Sequence, residues 1–267
     1  MQCRKMEYEM KVKLAKFFLT GLLVASSLSA NAAAPSINIG PMFEYMGGKQ
    51  SSILKRIRNK GDATAFVRVE VSEVAFKADG EQEEVPLDNA LLTKPDGQGL
   101  IASPSRLIVP ADGAQSVRLL YRGKRDVERY YRVRFVPVVP KSKDDFVLSN
   151  DEIEQYKESL SAGINVLTGY GGMVIVRPGD ERYEFEFGVK DGKSILENKG
   201  NSMVTLEAYR VCKEKQGTCG EPTAYYVRPG KTKELPCDPG SRCEFELREG
   251  EKRTKMYVEA GQVASGS

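Results

Sequence analysis

The sequence predicts an all-β protein built from two β-sandwich domains. Short runs of alternating apolar and polar residues recur along residues 64–258, and glycine, proline and aspartate separate them. Period-two alternation over short segments is typical of sandwich strands with one buried face. The sequence RPGD at residues 177–180 breaks the runs into two groups. We therefore expect domains at about residues 33–178 and 179–262, followed by a loose tail at residues 263–267.

Both predicted domains contain several strands of this kind. Residues 64–74 have the clearest pattern, because valines alternate there with Arg68 and Glu70. The predicted strands of the first domain are residues 64–74, 106–109, 116–121 and 130–136. Those of the second domain are residues 183–187, 203–209, 224–228, 243–247 and 255–258. Residues 151–160 favour a helical turn within a long connection, and the sequence shows no evident internal repeat.

The first 32 residues have the pattern of a secretory signal peptide. Basic residues come first, an apolar run follows at residues 17–28, and the segment ends in the small-residue sequence ANA. The apolar run is too short to span a bilayer, and Met10 would make a more ordinary start than Met1. Removing this segment takes away five of 40 basic and two of 37 acidic residues, which leaves 35 of each. We expect an exported, soluble protein with no electrostatic basis for binding nucleic acid.

The composition excludes several classes of catalytic chemistry. The chain has no histidine and no tryptophan. Without histidine, histidine-activated nucleophiles, histidine acid–base catalysis and nearly all catalytic zinc sites are excluded. Glu184 and Glu186 alternate on one predicted strand, which indicates a solubilising face rather than a catalytic pair. We therefore expect a protein that is not an enzyme and that uses no cofactor or metal.

Four cysteines remain after the predicted signal peptide, and all lie in the last quarter of the chain. They are Cys212, Cys219, Cys237 and Cys243. An even number of cysteines in an exported chain favours disulfides. The spacing favours two local pairs, Cys212–Cys219 and Cys237–Cys243, although three pairings are possible. A zinc site with four thiolates is the competing interpretation, but the chain lacks the C-x-x-C pairs that such sites use.

Residues 160–176 form an unusual apolar segment. Alternate positions carry one row of mostly apolar side chains, and three glycines, at positions 163, 169 and 171, have the other parity. The row consists of Leu160, Ala162, Ile164, Val166, Thr168 and Tyr170. One interpretation is a single long edge strand, and the other is two ordinary strands with a glycine bend at residues 169–172. An exposed apolar edge is normally suppressed, so its presence suggests pairing with a strand of another chain.

Several motifs in a fixed order resemble one family. They are LIASPSRLIVP at residues 100–110, AQSVRL at 114–119, ERYYRVRF at 128–135, MVIVRP at 173–178 and YYVRPGK at 225–231, together with Cys212 and Cys219. This pattern resembles the periplasmic pilus chaperones of the chaperone–usher pathway. It is most similar to the alternate branch, which serves CFA/I-type pili and the common pilus of enterobacteria. The resemblance covers essentially the whole chain after the predicted signal peptide.

The resemblance implies two immunoglobulin-like domains set at an angle, with a cleft between them. It also implies a periplasmic protein that lends the last strand of its first domain, here residues 160–176, to an incomplete pilin subunit. The row from Leu160 to Tyr170 would fill the subunit's groove. Such a chaperone prevents aggregation of pilins and delivers them to an outer-membrane usher. If the free protein covers its exposed apolar strand edge, we expect it to do so by self-association.

The family also holds the pilin's C-terminal carboxylate with two basic residues in the cleft. The segments that would supply them, residues 36–41 and 160–176, contain no basic residue in this chain. The candidates for this anchor are Arg132, Arg134 and Arg177, with Lys55, Arg56 and Arg58 behind them. Arginine suits the role because its guanidinium binds a carboxylate in a bidentate manner.

Two other functions are alternatives to this interpretation. The first is a secreted immunoglobulin-like pilus subunit or adhesin, that is, a binding module. A pilin would carry an N-terminal extension of alternating apolar residues, and residues 33–48 match that pattern poorly. The second is a secreted β-sandwich hydrolase, which would need an acid–base pair in a cleft, and no such pair stands out.

Overall fold

The computed structural model describes most of the chain after the predicted signal peptide. The described residues are 34–77, 80–88, 94, 97–141, 146–161, 167–213, 218–238, 240–259 and 264–266. The predicted signal peptide at residues 1–32 therefore lies outside them, as do Ala162, Ile164 and Val166 of the apolar row. No helix in this described portion is long and apolar enough to cross a membrane.

In its described residues, the first part of the chain contains ten strands and one helix. In chain order these are β1 (Ile37–Asn38), β2 (Phe43–Met46), β3 (Ser52–Asn59), β4 (Ala65–Phe76), β5 (Gln82–Pro86), β6 (Gly99–Ser103), β7 (Arg106–Val109), β8 (Ala114–Arg122), β9 (Arg129–Pro137), α1 (Asn150–Ser161) and β10 (Tyr170–Val176). One sheet has the order β1-β3-β8-β6, and the other has the order β2-β10-β9-β4-β5, with β7 also paired to β4. The pairing is antiparallel except between β2 and β10.

These two sheets bury the apolar face that the alternation predicts. Val67, Val69 and Val71 of β4 are all at most 5% exposed, whereas Arg68 and Glu70 between them are exposed. The same core takes Ile57, Leu100, Val117, Leu119, Tyr131, Val133, Phe135, Val174 and Val176. Removing this much apolar surface from water is the main stabilising contribution to such a sandwich.

The second part of the chain forms another pair of sheets. Its strands are β11 (Phe185–Lys190), β12 (Lys193–Asn198), β13 (Val204–Lys213), β14 (Thr218–Cys219), β15 (Thr223–Val227), β16 (Thr232–Glu234), β17 (Ser241–Glu249), β18 (Lys252–Glu259) and β19 (Ala264–Gly266). One sheet has the order β16-β12-β11-β19, and the other has the order β14-β13-β17-β18, with β15 also paired to β13. A loose tail was predicted at residues 263–267. This prediction is wrong at Ala264–Gly266, which pair with β11.

The cysteines form the two local disulfides that the spacing favours. Cys212 and Cys219 face each other on the paired strands β13 and β14. Cys237 is joined to Cys243 of β17, and both lie in the core of the second pair of sheets. Disulfides therefore use all four thiols that the zinc interpretation would require.

The two halves share a turn that the sequence analysis did not recognise. The sequence NKG follows β3 and β12, and in each case the asparagine is buried. The Nδ2 of Asn59 donates to the carbonyls of Ala63 and Val109, and its Oδ1 accepts from Gly61 N. Asn198 repeats this pattern: its Nδ2 donates to the carbonyl oxygens of two residues, Ser202 and Val227, and its Oδ1 accepts from the amide of one, Gly200. Glycine is required in both turns, because a Cβ would lie 2.0 Å from a backbone oxygen at position 61 and 2.3 Å at position 200.

Among the described residues, the predicted strand at residues 160–176 is wrong at residues 160–161 and 167–169. Strand β10 begins only at Tyr170, and Leu160 is a buried residue in the last turn of α1. Thr168 is exposed and lies outside any strand. The helix forms because Ser149 and Glu152 make a reciprocal capping box at its start, and good helix formers follow. The helical turn predicted at residues 151–160 is confirmed, and it includes Leu160, which was also the first residue of the predicted strand.

Candidate functional site

Strand β10 has one edge that is only partly paired. On one side it pairs with β9 along its whole length, and on the other it pairs with β2 from Met173 to Val176. The amide of Met173 donates to the carbonyl of Met42 at 2.7 Å and closes the start of that second ladder. Upstream of Met173, no strand in the described residues pairs with this edge. Its backbone groups are therefore available to an added strand.

The face of β10 that carries Tyr170, the last residue of the predicted row, also carries residues of the protein's own core. Val174 and Val176 of β10 point into the first sandwich and are each 1% exposed. Tyr170 lies on the same face, since successive side chains alternate across a strand, but it is 38% exposed. Within the seven residues of β10, this face thus changes from buried at Val176 to exposed at Tyr170. In an extended continuation of β10, the even-numbered positions of the predicted row would follow on this face.

Two of the three anchor candidates lie together on the opposite face of the same sheet. Arg132 and Arg134 of β9 pair in register with Met173 and Gly171 of β10. Gly171 leaves room for them, because a Cβ there would lie 3.4 Å from Cδ of Arg132 and 3.7 Å from Cγ of Arg134. One face of β10 thus packs into the core of the first sandwich, and the other face borders Arg132 and Arg134, which we call the arginine pair.

A carboxylate already bridges this arginine pair. Glu84 of β5 accepts a hydrogen bond from Nη1 of Arg134 at 2.7 Å and one from Nε of Arg132 at 3.4 Å. All three side chains are partly exposed, at 28%, 40% and 27% for Glu84, Arg134 and Arg132. The hydrogen bond from Arg134 is the main reason that the pKa of Glu84 lies below its usual value. The pair therefore binds a carboxylate in the free protein.

The third candidate, Arg177, belongs to a different network and is 2% exposed. Its guanidinium lies 4.7 Å from the ring centroid of Tyr45 and donates to the carbonyl of Gly250 at 3.5 Å. The carboxylates of Glu181 and Glu251 are 3.6 and 3.8 Å from its Nη1. These contacts join the first pair of sheets to the second, and they leave Arg177 almost no surface for a ligand.

The remaining anchor candidates, Lys55, Arg56 and Arg58, do not lie together as a site for a carboxylate. Lys55 is 4% exposed, and its Nζ is 2.8 Å from Glu44 and 2.7 Å from the carbonyl of Pro41. Arg56 and Arg58 are exposed on the other sheet of the first sandwich. Lys55 therefore stabilises the connection between β1 and β2, and its ammonium group is already paired with Glu44.

Further residues, which no sequence pattern marks, join the two halves. The carboxylate of Glu128 accepts from the amide of Met203 at 2.8 Å and from the hydroxyl of Tyr130, and burial raises the pKa of this acid. Phe43 of β2 stacks on Tyr226 of β15 with ring centroids 4.4 Å apart. No periodicity marks these residues, because their partners lie 75 or more positions away in the chain. They fix the first sandwich against the second beside the strand edge and the arginine pair.

Known proteins with similar sequences include two named as probable fimbrial chaperones. The protein named Probable fimbrial chaperone EcpB from Escherichia coli O157:H7 is 27% identical over 215 residues, which cover 79% of this chain and 86% of that protein. The protein of the same name from Klebsiella pneumoniae is 28% identical over 216 residues, which cover 80% and 85%. No family model matches the chain.

Solved structures with a similar fold are also chaperones. The Class 5 fimbriae chaperone CfaA has a TM-score of 0.54 at 19% identity, covering 84% of this chain and 98% of its own. The Pseudomonas aeruginosa CupB2 chaperone has a TM-score of 0.52 at 12% identity, covering 85% and 100%. At these identities the likeness establishes the fold, and the all-β, two-sandwich architecture predicted from the sequence is confirmed.

Proposed function

We propose, from the homology of this chain to the fimbrial chaperones of the chaperone–usher pathway, that it is a periplasmic chaperone for pilin subunits. It binds each subunit by adding a strand, keeps the subunit from aggregating and delivers it to an outer-membrane usher. Residues 1–32 are its signal peptide, and the two sandwiches are its domains, with the boundary near residue 178. The observation that carries this proposal is the edge of β10 upstream of Met173, which no described strand covers, beside a face that is buried at Val174 and exposed at Tyr170.

The physical basis of the proposal is completion of an unfinished sheet. An incoming pilin strand would satisfy the free backbone groups of β10, and the row upstream of Tyr170 would fill the pilin's open groove. Each buried Val, Leu or Ile side chain contributes roughly 1.5–3 kcal/mol. The apolar positions of the row together supply about 5–8 kcal/mol before the cost of association is subtracted. That range protects a subunit and still permits its transfer to a better-fitting strand.

The arginine pair supports a place for the subunit's C-terminal carboxylate. Arg132 and Arg134 lie on the face of the sheet that points away from the core of the first sandwich, and they already bind the carboxylate of Glu84. Two guanidinium groups around one carboxylate supply charge-assisted, directional hydrogen bonds. We assign the anchor to these two residues, and we assign Arg177 to holding the two domains together.

Recovery of a soluble complex tests the proposed function. The chain is co-expressed in the periplasm with a pilin that lacks its own last strand, and the pilin is measured in the soluble fraction. We expect a stoichiometric complex with the chaperone and aggregated or degraded pilin without it. A pilin that is equally soluble in the absence of this chain would contradict the proposal.

The proposed donor strand requires a change of conformation at the end of helix α1. If the strand added to the pilin includes Leu160, the last turn of α1 must unwind when the pilin binds, because Leu160 is helical in the free protein. We expect the Cα chemical shift of Leu160 to move from a helical to an extended value in the complex. A helical shift that persists in the complex would place the start of the donor strand after Ser161.

A further inference from the structure

The bridge between Glu84 and the arginine pair spans three strands. Glu84 lies on the edge strand β5, and both arginines lie on β9, so the carboxylate reaches over the intervening strand β4. The residue of β4 in register with Arg132 is Ser72, which is small and 6% exposed. Its size leaves space for the bridge, and its burial shows that larger side chains cover it.

Other nearby acids do not compete for the arginine pair. Glu70 is in register with Arg134 on β4, but its carboxylate pairs with Arg68 at 2.9 Å. Glu83, next to Glu84, is exposed and has the opposite orientation on β5, since side chains alternate along a strand. Glu84 is therefore the acid that holds the two guanidinium groups in the described part of this surface.

The bridge has the chemistry of a bound ligand rather than of a core contact. Arg132 and Arg134 present hydrogen-bond donors to both oxygens of one carboxylate, as they would to a peptide C-terminus. All three side chains retain contact with solvent, and ion pairs in that setting contribute little to stability. An external carboxylate with additional contacts can therefore replace Glu84.

We propose that Glu84 is an internal carboxylate that occupies the subunit anchor in the free chaperone and leaves it when the C-terminal carboxylate of a pilin binds. This inference rests on the proposed function, since that function supplies the external carboxylate. The internal carboxylate weakens binding of any ligand that offers only a negative charge. A pilin also pairs with β10, so it overcomes this competition and gains selectivity over small anions.

The competition has a measurable size. A binding site that is open for only part of the time has an apparent dissociation constant raised by the inverse of the open fraction. For a partly exposed ion pair, we expect loss of the Glu84 carboxylate to tighten binding of an external carboxylate by roughly three- to tenfold.

The test uses the purified protein and two synthetic peptides. One is acetyl-Ala-Ala-Tyr with a free C-terminal carboxylate, and the other is the same peptide with a C-terminal amide. Binding is followed through the side-chain Nε–H signals of arginine in NMR titrations. We expect Glu84→Gln and Glu84→Ala to bind the carboxylate peptide about three- to tenfold more tightly than the unmodified protein. Neither variant should gain affinity for the amide.

Two controls make the outcome specific. Glu83→Gln removes the neighbouring charge from the same strand and should leave both affinities unchanged. Arg134→Gln added to Glu84→Gln should abolish the gain. Equal affinities of the Glu84 and Glu83 variants, an equal gain for the amide, or no binding of the carboxylate peptide to any variant would each overturn the inference. The assay contains no pilin, so its failure is separate from a failure of pilin rescue.

Discussion

Replacing Ile164 with aspartate should abolish recovery of soluble pilin while leaving the chaperone folded. In the proposed complex this position fills the pilin's apolar groove, and a carboxylate there would be buried without a partner. Loss of the apolar contact costs roughly 1.5–3 kcal/mol, and burial of an unpaired charge costs considerably more. The sum exceeds what the remaining positions of the row can offset. The measurement is the amount of pilin that co-purifies from the periplasm, together with thermal unfolding of the variant alone.

A matched control is available in the same connection. Val147 is 94% exposed and lies outside the apolar row, so Val147→Asp makes a similar chemical change at a position with no proposed contact. It should rescue pilin as well as the unmodified chain does. Normal rescue by Ile164→Asp would exclude the row as the donor.

Replacing Arg177 with alanine should destabilise the protein by about 2–4 kcal/mol through loss of buried packing and of the stacking on Tyr45. Tyr45 lies between two guanidinium groups, with that of Arg248 at 4.2 Å from its ring centroid. The substitution therefore opens a cavity where the two sandwiches meet. Chemical denaturation measures the loss of stability, and small-angle scattering should show a wider range of domain orientations.

The control for Arg177 is an exposed arginine of the same sandwich. Arg56→Ala should change the free energy of unfolding by no more than about 0.5 kcal/mol, as surface substitutions usually do. Arg177→Ala should still bind the carboxylate peptide, because the anchor is assigned to Arg132 and Arg134. Lost peptide binding with unchanged stability would instead make Arg177 the anchor.

The strands of the sandwich cores were predictable because burial on one face imposes period two. Alternation predicted β4, β7, β8 and β9 close to their observed bounds. The short edge strands β1, β2, β5 and β6 were missed, since two to five residues carry too little pattern. The eight-residue strand β3 was missed as well. The sequence NKG occurs in both halves, but its turn could not be recognised from the sequence, because the asparagine binds backbone carbonyls of distant strands.

The candidate site was predictable in part. Of the apolar row, only Tyr170 lies in β10, where it shares the parity of Val174 and Val176; the continuation of the strand through residues 162–166 stays a prediction. Leu160 was predicted both in the helical turn and in the apolar row. The structure places it in the helix, because the capping box at the start of α1 favours local hydrogen bonds over the strand pattern. The separation of Arg177 from Arg132 and Arg134 could not be read from spacing. It depends on Tyr45, Glu181 and Gly250, which tertiary contacts bring to Arg177.

Amide hydrogen exchange at Gly171 tests the central claim most directly. Its N–H has the same parity as that of Met173, so it points to the edge of β10 that β2 leaves uncovered. In a complex with pilin, exchange at Gly171 should slow by at least about tenfold, as one new hydrogen bond in a sheet requires. Exchange at Met173, already bonded to Met42, should change little by comparison. Unchanged exchange at Gly171 in a stable complex would show that the pilin binds elsewhere and would contradict strand donation by β10.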